Sequence, residues 1–166
     1  MKHLVLGSRG QIGSHLMSYL EEHVDATCEG EDEVSGIDIL SCHCEDLREH
    51  NEGVEEAIKN ADIVYFLAFD VGGAKYLEKY QDTYEFIDNN IKIMDKTFAL
   101  LKKHETPFIF ASSQMAEMYY STYGVLKSVG ERMTKSLGGI IARFWNVYGY
   151  EEDEEKSHVI TDFLKM

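Results

Sequence analysis

Basic residues are scarce in this chain: 16 Lys and Arg face 30 Asp and Glu, a formal net charge of −14 with the histidines neutral. A field of that sign repels nucleic-acid phosphates and anionic membranes, so neither is an expected partner. Cysteine is nearly as sparse. Three are present, an odd count, with Cys42 and Cys44 two positions apart, which argues against a disulfide framework and for a reducing, cytoplasmic compartment. No apolar run is long enough to span a membrane, and no N-terminal stretch has the layout of a signal peptide. Proline occurs once, at Pro107. No repeat, low-complexity tract or linker interrupts the chain before residue 150. What remains is an ordinary globular composition, 44% hydrophobic and 28% charged over 166 residues, sufficient for one domain with its own core.

The most informative stretch is Gly7-Ser8-Arg9-Gly10-Gln11-Ile12-Gly13, directly after the apolar run Leu4-Val5-Leu6. The spacing predicts a strand over 2–6 and a helix over 11–22 with Ile12, Leu16, Met17 and Leu20 on its apolar face. A strand that turns sharply into a helix leaves the first helical N–H groups unpaired and converging, and the helix dipole adds to their pull on a phosphate. A side chain at the glycine positions would block the turn, the approach of the phosphate or the packing of helix on strand. All seven residues are therefore candidates for binding the pyrophosphate of a dinucleotide. Local N–H groups can hold such a group even in a chain of this net charge.

Further along, Val34 to Ile39 reads as a second strand with Asp38 near its C-terminal end. An acid at that place accepts hydrogen bonds from the adenine ribose hydroxyls and disfavours a 2′-phosphate, selecting NAD. Glu29, at the end of Val24–Cys28, is a second candidate for the same role, and Arg9 is a rival influence because a guanidinium could instead meet a 2′-phosphate. Cys42-His43-Cys44 holds three ligand types too close together to serve one tetrahedral ion, and reads as loop, with no metal expected. A short helix over 54–60 follows, then the strand Ile63 to Ala68, apolar on both faces as in a covered parallel sheet. A small-residue loop runs from Ala68 to Gly73. Residues 83–104 form a long helix with Phe86, Ile87, Ile91, Met94, Phe98 and Leu101 on its apolar side and Asn89 and Asn90 within it. The strands Phe108–Ala111 and Gly139–Ala142 complete the alternation. The expectation is an α/β fold: a Rossmann-like, doubly wound parallel sheet with helices on both faces, over 1–149. Residues 150–166 make an acidic stub.

Ser112-Ser113 ends a strand on the edge where ligands sit in such sheets. Ten residues beyond Ser113 lies Tyr123, and four beyond that Lys127, on one helical face. A nearby cation favours phenolate and lowers the tyrosine pKa towards neutrality, as a general base requires. Ser113 can donate to a substrate oxygen while Tyr123 moves its proton. Ser113, Tyr123 and Lys127 are the catalytic candidates.

These pieces together resemble the extended short-chain dehydrogenases, the family that includes the nucleotide-sugar epimerases and dehydratases. The matching residues are Gly7, Gly10 and Gly13, Asp38, Asp46-Leu47, Leu67-Ala68, Asn90, Ser112-Ser113, Tyr123 with Lys127, and the run Arg143-Phe144-Trp145-Asn146-Val147-Tyr148-Gly149. The resemblance implies that Asp46 and Leu47 flank the adenine and that Leu67, Ala68 and Phe69 line the cofactor, with Asn90 on the same site. It also implies that Tyr123 and Lys127 contact the nicotinamide ribose and that Ser112 and Asn146 face a nucleotide-sugar substrate. The implied activity is NAD-dependent epimerisation or dehydration through a keto-sugar, in a homo-oligomer. Two departures stand out: the interval from Ser113 to Tyr123 is shorter than in the family, and little of the family's second, substrate-binding lobe follows residue 150. A dinucleotide-binding module without turnover, or half of a larger assembly, is the alternative.

Overall fold

The computed structural model describes residues 1–24 and 33–148; the second ribose candidate, Glu29, the acidic stretch after residue 150 and Gly149 lie outside them. Five strands, β1 (Lys2–Leu6), β2 (Glu33–Ile37), β3 (Ile63–Phe66), β4 (Phe108–Ser113) and β5 (Ile140–Phe144), form one parallel sheet in the order β2-β1-β3-β4-β5. The helices are α1 (Gln11–Val24), α2 (Glu52–Asn60), α3 (Ala74–Tyr80), α4 (Tyr84–His104) and α5 (Thr122–Ser136). From β1 the chain goes to one side of the sheet, and from β2 it crosses to the other. The crevice between β1 and β3, at the C-terminal ends of the strands, is the point where such folds receive ligands.

The central strands are buried on both faces, as their unbroken apolar runs require: Leu4, Val5, Leu6, Val64, Phe66 and Phe110 are each at most 1% exposed. Phe66, Phe98, Phe108 and Phe110 meet edge-on or tilted at centroid distances of 5.3–5.8 Å, where ring edges face ring faces. Helix α4 opens on Thr83, whose hydroxyl accepts from the Phe86 N–H, and closes on Glu105 in the left-handed region. Its buried face runs through Phe86, Asn90, Met94, Thr97, Phe98 and Leu101. Ile91, expected on that face, is 48% exposed: the buried stripe follows Asn90, one position earlier, because that asparagine has a task in the interior.

Three elements differ from the sequence expectation. Helix α3, seven residues opened by Gly73, follows the expected loop in a stretch to which the sequence pattern assigns no element. Asp38 lies one residue past β2 rather than within a strand. Cys42 and Cys44, expected as unpaired loop thiols, are joined by a disulfide across the 3-10 turn His43–Glu45. Among the described residues no helix is long and apolar enough to cross a membrane.

Candidate active site

The glycine turn is built by contacts that leave no room for side chains. Gly7 has φ +86, and a Cβ there would lie 2.7 Å from the Ala68 backbone nitrogen; a Cβ on Gly13 would lie 2.0 Å from the Gly7 carbonyl oxygen. Gly10 is different: a Cβ would meet only the Gly7 oxygen at an ordinary 3.5 Å. Chain packing therefore demands Gly7 and Gly13, whereas the space over Gly10 faces outward. The Gly7 and Ser8 N–H groups donate to the Ile37 carbonyl, the Arg9 N–H to Asp38, and the first helical bond comes from Ser14. The N–H groups of Gln11, Ile12 and Gly13 thus have no acceptor among the described residues, and the buried Gln11 Nε2 has none either. An orphaned buried amide beside three convergent donors and an open glycine fits an anionic group such as a pyrophosphate.

Asp38 is the hinge between the glycine turn and the loop after β2. Its Oδ2 accepts the Arg9 N–H at 2.9 Å, its Oδ1 the Leu40 N–H at 2.9 Å, and its own N–H donates to Glu45. A carboxylate has about four acceptor positions, so two remain for ribose hydroxyls. The Arg9 side chain is exposed.

Asp46 is held by Arg48 through both carboxylate oxygens, at 2.7–3.1 Å. Arg48 also donates to Asn89, Asn89 donates to Asp70, and the Tyr76 hydroxyl donates to Asp70 at 2.6 Å. The loops after β2 and β3 are thereby linked through side chains. Leu47 is 8% exposed and belongs to the core, so of the two residues implied to flank the adenine only Asp46 carries a polar group there. Asn90, implied as a cofactor contact, is fully buried. It accepts the Asp70 N–H at 2.8 Å and donates to the Asp70 and Phe86 carbonyls at 3.0 Å. It fixes the loop after β3 and reaches the site only through that backbone. Leu67, Ala68 and Phe69 line the end of β3, each half-buried.

Ser113, Tyr123 and Lys127 converge. The Ser113 hydroxyl accepts the Met115 N–H at 3.1 Å and lies close enough to the Tyr123 phenol to favour its phenolate, so the short interval does not separate serine from tyrosine. Helix α5 comes this close because Gly124 has no side chain: a Cβ would lie 2.2 Å from the Met115 carbonyl oxygen. Ser121 caps the helix and donates to Gln81, whose oxygen also accepts the Tyr123 N–H at 3.4 Å. Gln81 was invisible to sequence reasoning; Gly124, an interior helical glycine beside a candidate residue, was a usable signal of close approach.

Two expectations fail here, one for Tyr123 with Lys127 and one for Ser112. The expected lowering of the Tyr123 pKa by Lys127 is not what the geometry gives. Burial raises the phenol, and Ser113 opposes this in part. Lys127 is 4% exposed and directs its Nζ at the Ala111 carbonyl, 2.7 Å away, and the Phe69 ring, 3.7 Å from the centroid; the Tyr123 ring is 5.8 Å off. Burial lowers the lysine itself to about 7. Ser112, implied as a substrate contact, is 3% exposed and donates to Glu131 at 2.7 Å. Glu131 in turn takes two bonds from Arg143, which also reaches Glu117 at 2.6 Å. That cluster ties β4, β5 and α5 together, and Arg143 holds Glu131 below the usual carboxylate range. Asn146 is exposed beyond the end of β5, its oxygen 3.4 Å from Gln114 Nε2.

Solved structures share this fold. An NAD dependent NDP-hexosamine 5,6-dehydratase of tunicamycin biosynthesis superposes with a TM-score of 0.69 at 20% identity, over 92% of this chain and 57% of its own. A dTDP-4-dehydrorhamnose reductase ortholog from Clostridium acetobutylicum gives 0.67 at 18%, over 99% and 59%. The Helicobacter pylori ADP-L-glycero-D-manno-heptose-6-epimerase gives 0.66 at 15%, over 91% and 57%. The chain thus spans under three-fifths of the length of these structures. A comparison by sequence with curated proteins returns no match. The glycine turn, the parallel sheet and a family model that matches residues 3–166 agree: the chain belongs to the NAD dependent epimerase/dehydratase family.

Proposed function

We propose that this chain is the dinucleotide-binding part of an enzyme that acts on a nucleotide sugar, with NAD preferred over NADP. The observation that carries the reading is the meeting of Ser113, Tyr123 and Lys127 at the end of β4, one strand from the glycine turn. The Gln11, Ile12 and Gly13 N–H groups and the Gln11 amide would hold the pyrophosphate, Asp38 the adenine ribose, and Lys127 with Tyr123 the nicotinamide ribose. When bound, NAD supplies a hydride acceptor for the sugar carbon that bears the reacting hydroxyl. Tyr123 Oη takes the proton of that hydroxyl, and Ser113 Oγ donates its one hydrogen to the same oxygen, holding it in line. Lys127 places a cation behind the phenolate once ligand displaces the Phe69 ring from Nζ. Asn146 faces the sugar. Return of the hydride to the opposite face of the keto-sugar gives epimerisation, and loss of water before its return gives dehydration.

A second reading, binding without turnover, draws on one observation: Phe69 caps Lys127 and stacks edge-on against Tyr123 at 5.7 Å. The two separate in one experiment. Calorimetric titration with NAD and NADP is paired with an assay of sugar-nucleotide conversion, on the 166-residue chain and on Tyr123→Phe. Wild type binds NAD in both readings; conversion that falls by about 10²–10⁴ in the variant, with NAD affinity retained, supports proton transfer by Tyr123. Equal conversion by both proteins removes the tyrosine from this role. Because the related structures carry more than a third of their length beyond this chain, we expect the 166 residues alone to bind dinucleotide and to convert sugar poorly, since orientation supplies roughly 7–11 kcal/mol of a barrier. We also expect self-association, read by light scattering.

A further inference from the structure

The Cys42-His43-Cys44 segment has no place in the dinucleotide reading, yet it is fastened to the residue that reading depends on. The Asp38 carbonyl accepts the Ser41 N–H at 2.9 Å and the Cys42 N–H at 3.4 Å; the Cys42 carbonyl accepts the Glu45 N–H at 2.8 Å; and Glu45 Oε2 accepts the Asp38 N–H at 2.9 Å. The loop thus starts and finishes on Asp38, and the disulfide closes it across a Cα–Cα distance of 5.1 Å, within the usual span. Both cysteines are exposed. We propose that Cys42 and Cys44 are a reversible dithiol–disulfide site, closed by exchange with a low-molecular-weight disulfide such as oxidised glutathione, which sets the order of the Asp38 loop. Through Asp38 it also sets dinucleotide affinity, a consequence that rests on the reading above.

The exchange balances without other reactants. The Cys42 thiolate attacks one sulfur of the small disulfide, forming a mixed disulfide and expelling one small thiolate. The Cys44 thiolate then attacks the Cys42 sulfur and expels the second. Two protein thiols are oxidised, one small disulfide is reduced to two thiols, and the two protons pass to those thiolates. In the closed form the Cys44 N–H points at Cys42 Sγ, 3.1 Å away, so the ring is held by a backbone donor as well as by the disulfide. The closed form needs no partner sulfur from elsewhere in the fold.

The test uses the full chain carrying Cys28→Ser, which leaves only this pair, equilibrated in glutathione buffers of graded poise. Alkylation and mass spectrometry read the disulfide fraction; hydrogen exchange reads the amides of Arg9, Leu40, Ser41, Cys42 and Glu45. The expected result is a single two-electron transition, with those amides losing protection on reduction and the further variant Cys42→Ser matching the reduced pattern in every buffer. Stable glutathione adducts, free thiols at oxidising poise, or identical exchange in both forms would overturn the proposal. NAD titration at both poises follows, with weaker binding on reduction by at most about tenfold, the limit set by closure of so short a ring. A loop that switches in a chain that binds NAD at neither poise upholds the redox site and refutes the dinucleotide reading. Equal NAD affinity in both forms refutes the link to Asp38.

Discussion

Lys127 offers the sharpest test of the site, because its ammonium is both buried and central. Consider Lys127→Met, which keeps the length of the side chain and removes the charge. In the unfolded chain the lysine holds its proton up to about 10.5; in the folded chain burial brings the pKa to about 7. Between those values the unfolded state binds more protons, so the wild type gains stability as pH rises from about 7 to 10.5 and carries its full penalty below 7. The whole displacement corresponds to roughly 5 kcal/mol, a ceiling, because the Ala111 carbonyl at 2.7 Å and the Phe69 face favour the charged form. We expect the Met variant to be more stable than wild type at pH 6 by about 2–3 kcal/mol, with the difference shrinking towards zero by pH 10. Urea unfolding followed by circular dichroism, on both proteins at half-unit steps of pH, measures it; taking the difference cancels the titration of every other group. The same variant should lose NAD affinity. A difference that does not change with pH, or a Met variant that is less stable at pH 6, would refute the claim that desolvation dominates at this lysine.

Gly10→Ala should leave stability within about 0.5 kcal/mol of wild type, since its methyl meets only an ordinary contact, yet cut NAD affinity at least tenfold; retained affinity would place the pyrophosphate elsewhere. Asp38→Ala should narrow the preference for NAD over NADP by about tenfold, the worth of a hydrogen bond to a charged acceptor; a wild type that prefers NADP in calorimetry would give the dominant role to Arg9. Gly124→Ala forces a methyl to within 2.2 Å of the Met115 carbonyl and should cost about 1–3 kcal/mol in denaturant unfolding, with Tyr123 moved off Ser113.

The sheet and the glycine turn were legible because they are written in local pattern. Apolar runs at Leu4–Leu6 and Ile63–Phe66 admit few other placements, and Gly7 with Gly13 is the chain's answer to two backbone clashes. The serine, tyrosine and lysine were legible as types and spacing. Their protonation was not, because it depends on what surrounds them: i and i+4 place Tyr123 and Lys127 on one face, but only the fold reveals that Ala111 and Phe69 claim the ammonium first. Ser112 and Ser113 are equivalent in sequence. Strand alternation sends one to Glu131 and the other to Tyr123. Asn90 was legible as important and misread in role, since sequence does not distinguish a residue that touches a ligand from one that holds the backbone of Asp70.

Buried polar groups and their partners fall into two kinds, and the distinction bears on which of them a ligand could meet. Glu131, Ser112 and Arg143 close on one another: each donor meets an acceptor, and the chief effect on the carboxyl is the guanidinium that pairs with it. Removing one member leaves a buried charge or hydroxyl unsatisfied, so the cluster stabilises the junction of β4, β5 and α5 and has nothing to spare for a substrate. Gln11 and Lys127 are incompletely met. The Gln11 amide has no acceptor, and Lys127 has one carbonyl and an aromatic face where an ammonium has three donors. Both sit at the C-terminal edge of the sheet, one at the turn after β1 and the other behind Tyr123. A fold tolerates such costs where a ligand removes them. Dinucleotide binding should therefore stabilise this chain by more than contact area alone suggests, and the gain should shrink in Lys127→Met, whose interior has no unmet donor at that point.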